Sequence, residues 1–165
     1  MLTPELNVIS VEEETELLNA LVETEQNSKV LNDRIGIRYG NSIYGNEKLD
    51  PIPSYLLNLC NKLIDKKILE VLPEDISINI YYPGNKMVPH IDKLDAGPVI
   101  TILSLLSDAN LILTYGAKKE IVLLPSRSVV QLKDKYRTHW KHSIEKIKDK
   151  RISIVFRQLG KNNLK

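Results

Sequence analysis

Asn79-Ile80-Tyr81-Tyr82-Pro83-Gly84-Asn85-Lys86-Met87-Val88-Pro89-His90-Ile91-Asp92 is the stretch around which the chain is organised. In an extended backbone side chains alternate between faces, so His90 and Asp92 point the same way, as do Asn79 and Tyr81. The Pro83-Gly84 pair is turn chemistry: proline presets φ and glycine supplies a positive φ. An imidazole and a carboxylate on one face make half of an iron or zinc site. Such a pair also arises by chance, as a surface histidine beside a solvated aspartate. The rest of the chain must decide between the two.

Downstream lie two histidines, in Arg137-Thr138-His139-Trp140-Lys141-His142-Ser143-Ile144, and then Arg151-Ile152-Ser153-Ile154-Val155-Phe156-Arg157. As a strand, the last segment puts Ile152, Ile154 and Phe156 on a core face and Arg151, Ser153, Val155 and Arg157 on the other. Buried unpaired charge is costly, so two guanidiniums near the centre of a β fold call for anionic partners. A dicarboxylate supplies them, and arginine binds carboxylate bidentately.

The ordered set Asn79-x-Tyr81-x-Pro83-Gly84, His90-x-Asp92, His142, Arg151 and Arg157 resembles the AlkB group of Fe(II)/2-oxoglutarate dioxygenases. The likeness extends to Arg34 through Tyr44 and to Leu124-Pro125-Ser126-Arg127-Ser128, so it covers most of the chain. The Trp-x-His-x-Ile and Leu-Pro-x-Arg-Ser stretches look most like the eukaryotic-type branch that includes the tRNA wobble-uridine hydroxylase. The resemblance implies that His90, Asp92 and His142 hold Fe(II). His142 is preferred to His139 because Trp140 through Ile144 matches the family pattern better. Such a facial set leaves three coordination positions open, here for 2-oxoglutarate and O₂. The resemblance further implies that Arg151 takes the far carboxylate of 2-oxoglutarate, aided by Tyr81 and Ser153. Arg157 and Asn79 would serve the end that chelates iron. Arg34, Tyr39 and Tyr44 would belong to a lid over a base. Asp95 reads as a solvated loop residue.

At 165 residues, with 42% hydrophobic and 27% charged residues, the expectation is one domain with a substantial core. Helices and lid would occupy 1–76, and a β core 77–160. No apolar run is long enough to span a bilayer, and the N-terminus has no secretory pattern. The single Cys60 excludes an internal disulfide and a multi-cysteine zinc site. An intracellular setting, no membrane association and a monomer are the expectations. Net charge is only +2, but residues 1–30 hold seven Glu against Lys29. Residues 133–151 hold eight Lys or Arg against three acids. That basic stretch is either a solvated face or a rim that tracks phosphates. With the resemblance it favours a nucleic-acid partner, RNA or single-stranded DNA.

Ser10-x-x-Glu13 is a capping box, and Leu17, Leu18, Leu21 and Val22 follow at helical spacing, so a helix is expected over 11–23. Residues 32–50 read as short strands and loops. Ser54 is a candidate cap for a second helix reaching about residue 69. Strands are then expected at 77–82, 88–92, 98–106, 110–115, 119–124, 127–133, 141–145 and 151–158, with a hairpin at Gly116-Ala117. The tail from Lys161 to Lys165 would fray. The fold class is α+β: a double-stranded β-helix, a cupin-like jelly roll, flanked by two N-terminal helices. The expected reaction is oxidative demethylation or hydroxylation of a nucleobase. A methylated protein substrate and a non-catalytic jelly-roll binding module are the alternatives.

Overall fold

The computed structural model describes residues 1–25, 29–31, 33–43, 45 and 47–159. The elements are α1 (Val11–Glu25), β1 (Lys29–Leu31), β2 (Arg34–Gly40), α2 (Ser54–Asp65), β3 (Asp75–Tyr81), β4 (Met87–His90), β5 (Ile100–Leu105), β6 (Ala109–Tyr115), β7 (Lys118–Leu124), β8 (Ser128–Leu132), α3 (Lys135–Thr138), β9 (Lys141–Ile144) and β10 (Arg151–Arg157). They form a six-stranded sheet, β1-β2-β3-β10-β5-β8, facing a four-stranded sheet, β4-β9-β6-β7. Every ladder among the described residues is antiparallel, and the arrangement is the double-stranded β-helix expected from the sequence.

Strand alternation creates two separate cores. On one face of the large sheet, Ile76, Ile78 and Ile80 of β3 and Ile152, Ile154 and Phe156 of β10 meet Leu17 and Leu21 of α1 and Leu56, Leu59, Cys60 and Leu63 of α2. On the other face Val155, Ile100, Ile102, Val130 and Leu132 meet Leu111, Leu113, Val122, Leu124 and Ile144 of the small sheet. Cys60 is fully buried, and burial pushes its thiol pKa up to about 12, so it is an inert core residue.

The local signals behave as their chemistry dictates, with two corrections. The capping box forms: the Ser10 amide donates to Glu13 Oε2 at 2.7 Å and the Glu13 amide to Ser10 Oγ at 3.2 Å. Gly116, at φ +56°, takes the first corner of the β6–β7 hairpin, where a type II′ turn needs it. Ser54 is not a cap, however. It is the first helical residue of α2, Pro53 occupies the cap position, and the Leu56 and Leu57 amides donate to the Pro53 carbonyl. The helix also ends at Asp65 rather than near residue 69. Lys67 turns left-handed at φ +60°, its amide donates to Ile64 and that of Ile68 to Leu63. This is a Schellman stop, made without glycine. Among the described residues no helix is long and apolar enough to cross a membrane.

Candidate metal centre

His90 and His142 are direct cross-strand partners on β4 and β9. That register brings their rings to 4.3 Å between centroids. Asp92 lies two residues beyond β4, and its Oδ1 is 3.2 Å from His90 Nε2 and 3.8 Å from His142 Nε2. One ligand atom from each residue falls within 4.8 Å of the others, a spacing that suits a metal ion. His90 Nδ1 lies 2.9 Å from the Val88 carbonyl. A carbonyl only accepts, so Nδ1 carries a proton, and Nε2, here bonded to Asp92 Oδ1, is the nitrogen left to bind a metal.

The electrostatics divide the three. Hydrogen bonding to Asp92 raises the His90 pKa against the opposing effect of burial. Burial, with His90 alongside, pushes His142 down to about 4, so its imidazole is neutral at neutral pH. Burial alone would raise the Asp92 pKa. The His90 hydrogen bond and the Arg157 charge outweigh it and hold the carboxyl well below its usual range.

Two arginines hold Asp92 in place. Arg157 Nε donates to Asp92 Oδ2 at 3.1 Å, which leaves Oδ1 facing the histidines. The Arg157 guanidinium is also anchored to Asp75 Oδ1 at 2.8 Å and Ser77 Oγ at 2.6 Å. Arg137 is buried in α3 and grips the backbone beyond the aspartate. It donates to the carbonyls of Asp92 at 3.0 Å, Lys93 at 2.5 Å and Gly97 at 2.8 Å. The sequence reading missed both Asp75 and Arg137. Asp75 shares strand parity with Ser77, Asn79 and Tyr81, so beginning β3 two residues earlier would have found it. Arg137 carried no signal, because its partners are main-chain carbonyls.

The same cavity, about 400 Å³, is lined by His90, Asp92, His142, Asn79, Tyr81, Arg151, Ser153, Arg157 and Arg34. Arg151 is 1% exposed, yet its Nη1 and Nη2 have no hydrogen-bond partner. Only Nε is engaged, at 3.1 Å from Ser104 Oγ, and the guanidinium carbon sits 5.3 Å over the Tyr81 ring. The Tyr81 hydroxyl contacts Met87 Sδ at 3.6 Å. Asn79 Oδ1 accepts from Arg34 Nε at 2.8 Å.

The other sequence candidates lie elsewhere. Tyr39 faces the helix side, buried with Ile76 and Leu56, while Arg34, Gly36 and Arg38 face the cavity. Residues 34 and 39 have opposite parity in one strand, which the sequence already contained. Tyr44 and the tail from Lys161 to Lys165 lie outside the described residues. His139 is exposed and bonded to Thr138 Oγ1 at 2.7 Å, apart from the metal cluster. Asp95 sits on an exposed single turn of 3₁₀ helix. Of the eight basic residues in 133–151, Arg137 and Arg151 are buried, and Lys133, Lys135, Lys141, Lys146 and Lys148 are exposed.

Two imidazoles and one carboxylate converging inside a double-stranded β-helix define the class: a non-haem iron oxygenase centre with open coordination positions. The unpartnered, buried Arg151 guanidinium in the same cavity fits a carboxylate cosubstrate. The chain belongs to the 2OG-Fe(II) oxygenase superfamily, whose model matches residues 7–157. Within it the chain resembles AlkB homologues, and its reaction is that of an Fe(II)-, 2-oxoglutarate- and O₂-dependent dioxygenase.

Uncharacterized protein L905 of Acanthamoeba polyphaga mimivirus is 31% identical over 181 residues, covering 95% of this chain and 84% of its own length. RNA demethylase ALKBH9B of Arabidopsis thaliana is 30% identical over 79% of this chain. The Xenopus tropicalis tRNA (carboxymethyluridine(34)-5-O)-methyltransferase alkbh8 is 28% identical over 82% of it. The matches cover only 27% and 24% of those two longer proteins. The solved structure of OsALKBH1 superposes with a TM-score of 0.73 at 12% identity, covering 95% of this chain and 97% of that one. A Pseudomonas putida prolyl-4-hydroxylase superposes with a TM-score of 0.67 at 13% identity, covering 96% and 93%. At such identities these two speak for the fold alone.

Proposed function

We propose that this dioxygenase oxidises an alkylated or otherwise modified base in RNA or single-stranded DNA, by demethylation or by hydroxylation, and that residues 1–165 form one catalytic domain. The observation that carries the cosubstrate half of this reading is Arg151: a fully buried guanidinium with two free nitrogens, in one cavity with the His-Asp-His cluster. The nucleic-acid half is supported by the exposed lysines of 133–148 and by relatives named for RNA and tRNA.

In this reading His90, Asp92 and His142 hold Fe(II), which with 2-oxoglutarate and O₂ supplies an oxidant for substrate C–H bonds, releasing succinate and CO₂. The residues' own work is binding and orientation. Arg151 receives the far carboxylate, with the Tyr81 hydroxyl released from Met87 to join it and Ser153 alongside. Asn79, steadied by Arg34, faces the chelating end. Arg157, expected from the sequence at that chelating end, is instead engaged by Asp92, Asp75 and Ser77 and holds Asp92 with Oδ1 toward the histidines. Arg34 lines the cavity that a base would enter. The isoleucines and leucines between the sheets exclude water from the reacting carbon.

The test is succinate release by iron-loaded protein over a panel of methylated and wobble-modified oligonucleotides and methylated peptides. Turnover above background with an oligonucleotide is the expected result. Turnover with peptides alone would move the substrate class to protein, a reading that the net charge of only +2 also suits.

A further inference from the structure

Asp75 is fully buried and lies outside the metal cluster, yet it is engaged on both oxygens. Its Oδ1 receives Arg157 Nη1 and its Oδ2 receives Arg38 Nη2, each at 2.8 Å. Arg38 Nη1 in turn reaches Glu47 Oε2 at 3.0 Å, at the cavity wall. At the other end Arg157 Nε reaches Asp92 Oδ2 at 3.1 Å. The result is an unbroken row of alternating charge: Glu47, Arg38, Asp75, Arg157, Asp92. Three adjacent strands lay it down. Arg157 of β10 stands directly across from Asp75 of β3, and Arg38 of β2 is paired with Ser77, two residues along β3.

We propose that Asp75 and Arg38 are positioning residues for the metal-binding carboxylate. This rests on the assignment of His90, Asp92 and His142 as metal ligands. Arg157 has one positive charge to share between two carboxylates, Asp75 and Asp92. The more Asp75 takes, the less falls on Asp92, and the more negative charge Asp92 offers a dication. Arg38 competes with Arg157 for Asp75 and so acts with the opposite sign. A row of charges transmits a change at one end with alternating sign, whereas a purely structural brace would weaken the site wherever it is broken.

The discriminating measurement is Mn(II) binding to the metal-free protein, read from the electron paramagnetic resonance of the free ion, with melting curves to check folding. Asp75→Asn is expected to weaken Mn(II) binding by about tenfold, and Arg38→Gln to tighten it by about two- to fivefold, as Coulomb interactions at intermediate dielectric allow. Both variants unchanged, or both weakened, overturns the proposal. If Asp75→Asn does not fold, Arg38→Gln decides alone, since the Arg38 side chain is 20% exposed and its removal empties no core. Tightening then supports the row, and no change or weakening overturns it. Wild-type protein that binds no Mn(II) overturns the metal assignment and the proposal together. Wild-type binding with unshifted variants overturns the proposal alone.

Discussion

Replacing Arg151 by methionine tests the cosubstrate assignment most directly, because two of its consequences have opposite signs. Without ligand, Arg151 is a buried cation with no anionic partner. Its desolvation costs several kcal/mol even after relaxation. The Tyr81 ring returns about 2 kcal/mol and the Ser104 hydroxyl about 1.5 kcal/mol. A methionine of similar length removes the charge and keeps contact with the Tyr81 ring. The unliganded variant should therefore be more stable by roughly 1–2 kcal/mol, a rise in Tm of roughly 2–8 °C for a chain of this size. With ligand the order reverses. In the Mn(II)-loaded wild type, 2-oxoglutarate at 100 times its Kd should add about 2.7 kcal/mol. The variant loses a bidentate charge pair, roughly 2–5 kcal/mol, so its Kd should rise at least about thirtyfold. The assay is a melting series against 2-oxoglutarate under anaerobic conditions. A variant that melts lower than wild type without ligand, yet responds to 2-oxoglutarate at the same concentrations, would refute the reasoning.

Three further outcomes are expected. Glu14 accepts from the Leu106 amide, Ser126 Oγ and Arg127, and these bonds outweigh burial and lower its pKa. A carboxylate lowered on folding stabilises fully above its unfolded pKa and loses that contribution as pH falls through the folded value. Glu14→Gln should therefore cost about 1–3 kcal/mol at neutral pH and flatten the acid limb of a Tm-against-pH curve. Gly97→Ala places a Cβ against the Gln158 carbonyl at a φ of +89°, so a loss above about 3 kcal/mol, or insoluble protein, is expected in denaturant melts. Arg137→Met frees the carbonyls of Asp92, Lys93 and Gly97, and Mn(II) affinity should fall by about tenfold or more, the worth of about one charge-assisted bond.

Legibility from sequence followed how local each cause is. Short apolar runs between turn signals marked the strands from β3 to β10, and alternation sorted the faces of β10, whereas β5 carries apolar residues on both faces. The convergence of His90, Asp92 and His142 was legible because two of them stand two apart and the third matches a family pattern. Tyr39 lies on the helix side because its parity in β2 is opposite to that of Arg34, and motif spacing alone carries no parity. Asp75 shows only in its parity with Ser77, Asn79 and Tyr81, and Arg137 leaves no trace in the sequence. One pairs with residues 37 and 82 positions away, and the other serves carbonyls that have no sequence identity. The stop at Lys67 was hidden because a lysine gives no hint of a left-handed turn.

The two-faced character of β10 has a bearing on how errors in this molecule are caught. The strand is hydrogen-bonded on both sides, and its isoleucines and phenylalanine must enter the layer beneath the helices. A slip of one residue would drive Arg151 and Arg157 into oil and expose three large apolar side chains to the cavity. Such a molecule would not persist as a folded but miswired catalyst. Hydrophobic sorting thus proofreads the oxidation chemistry: any copy that folds at all carries its guanidiniums on the cavity side.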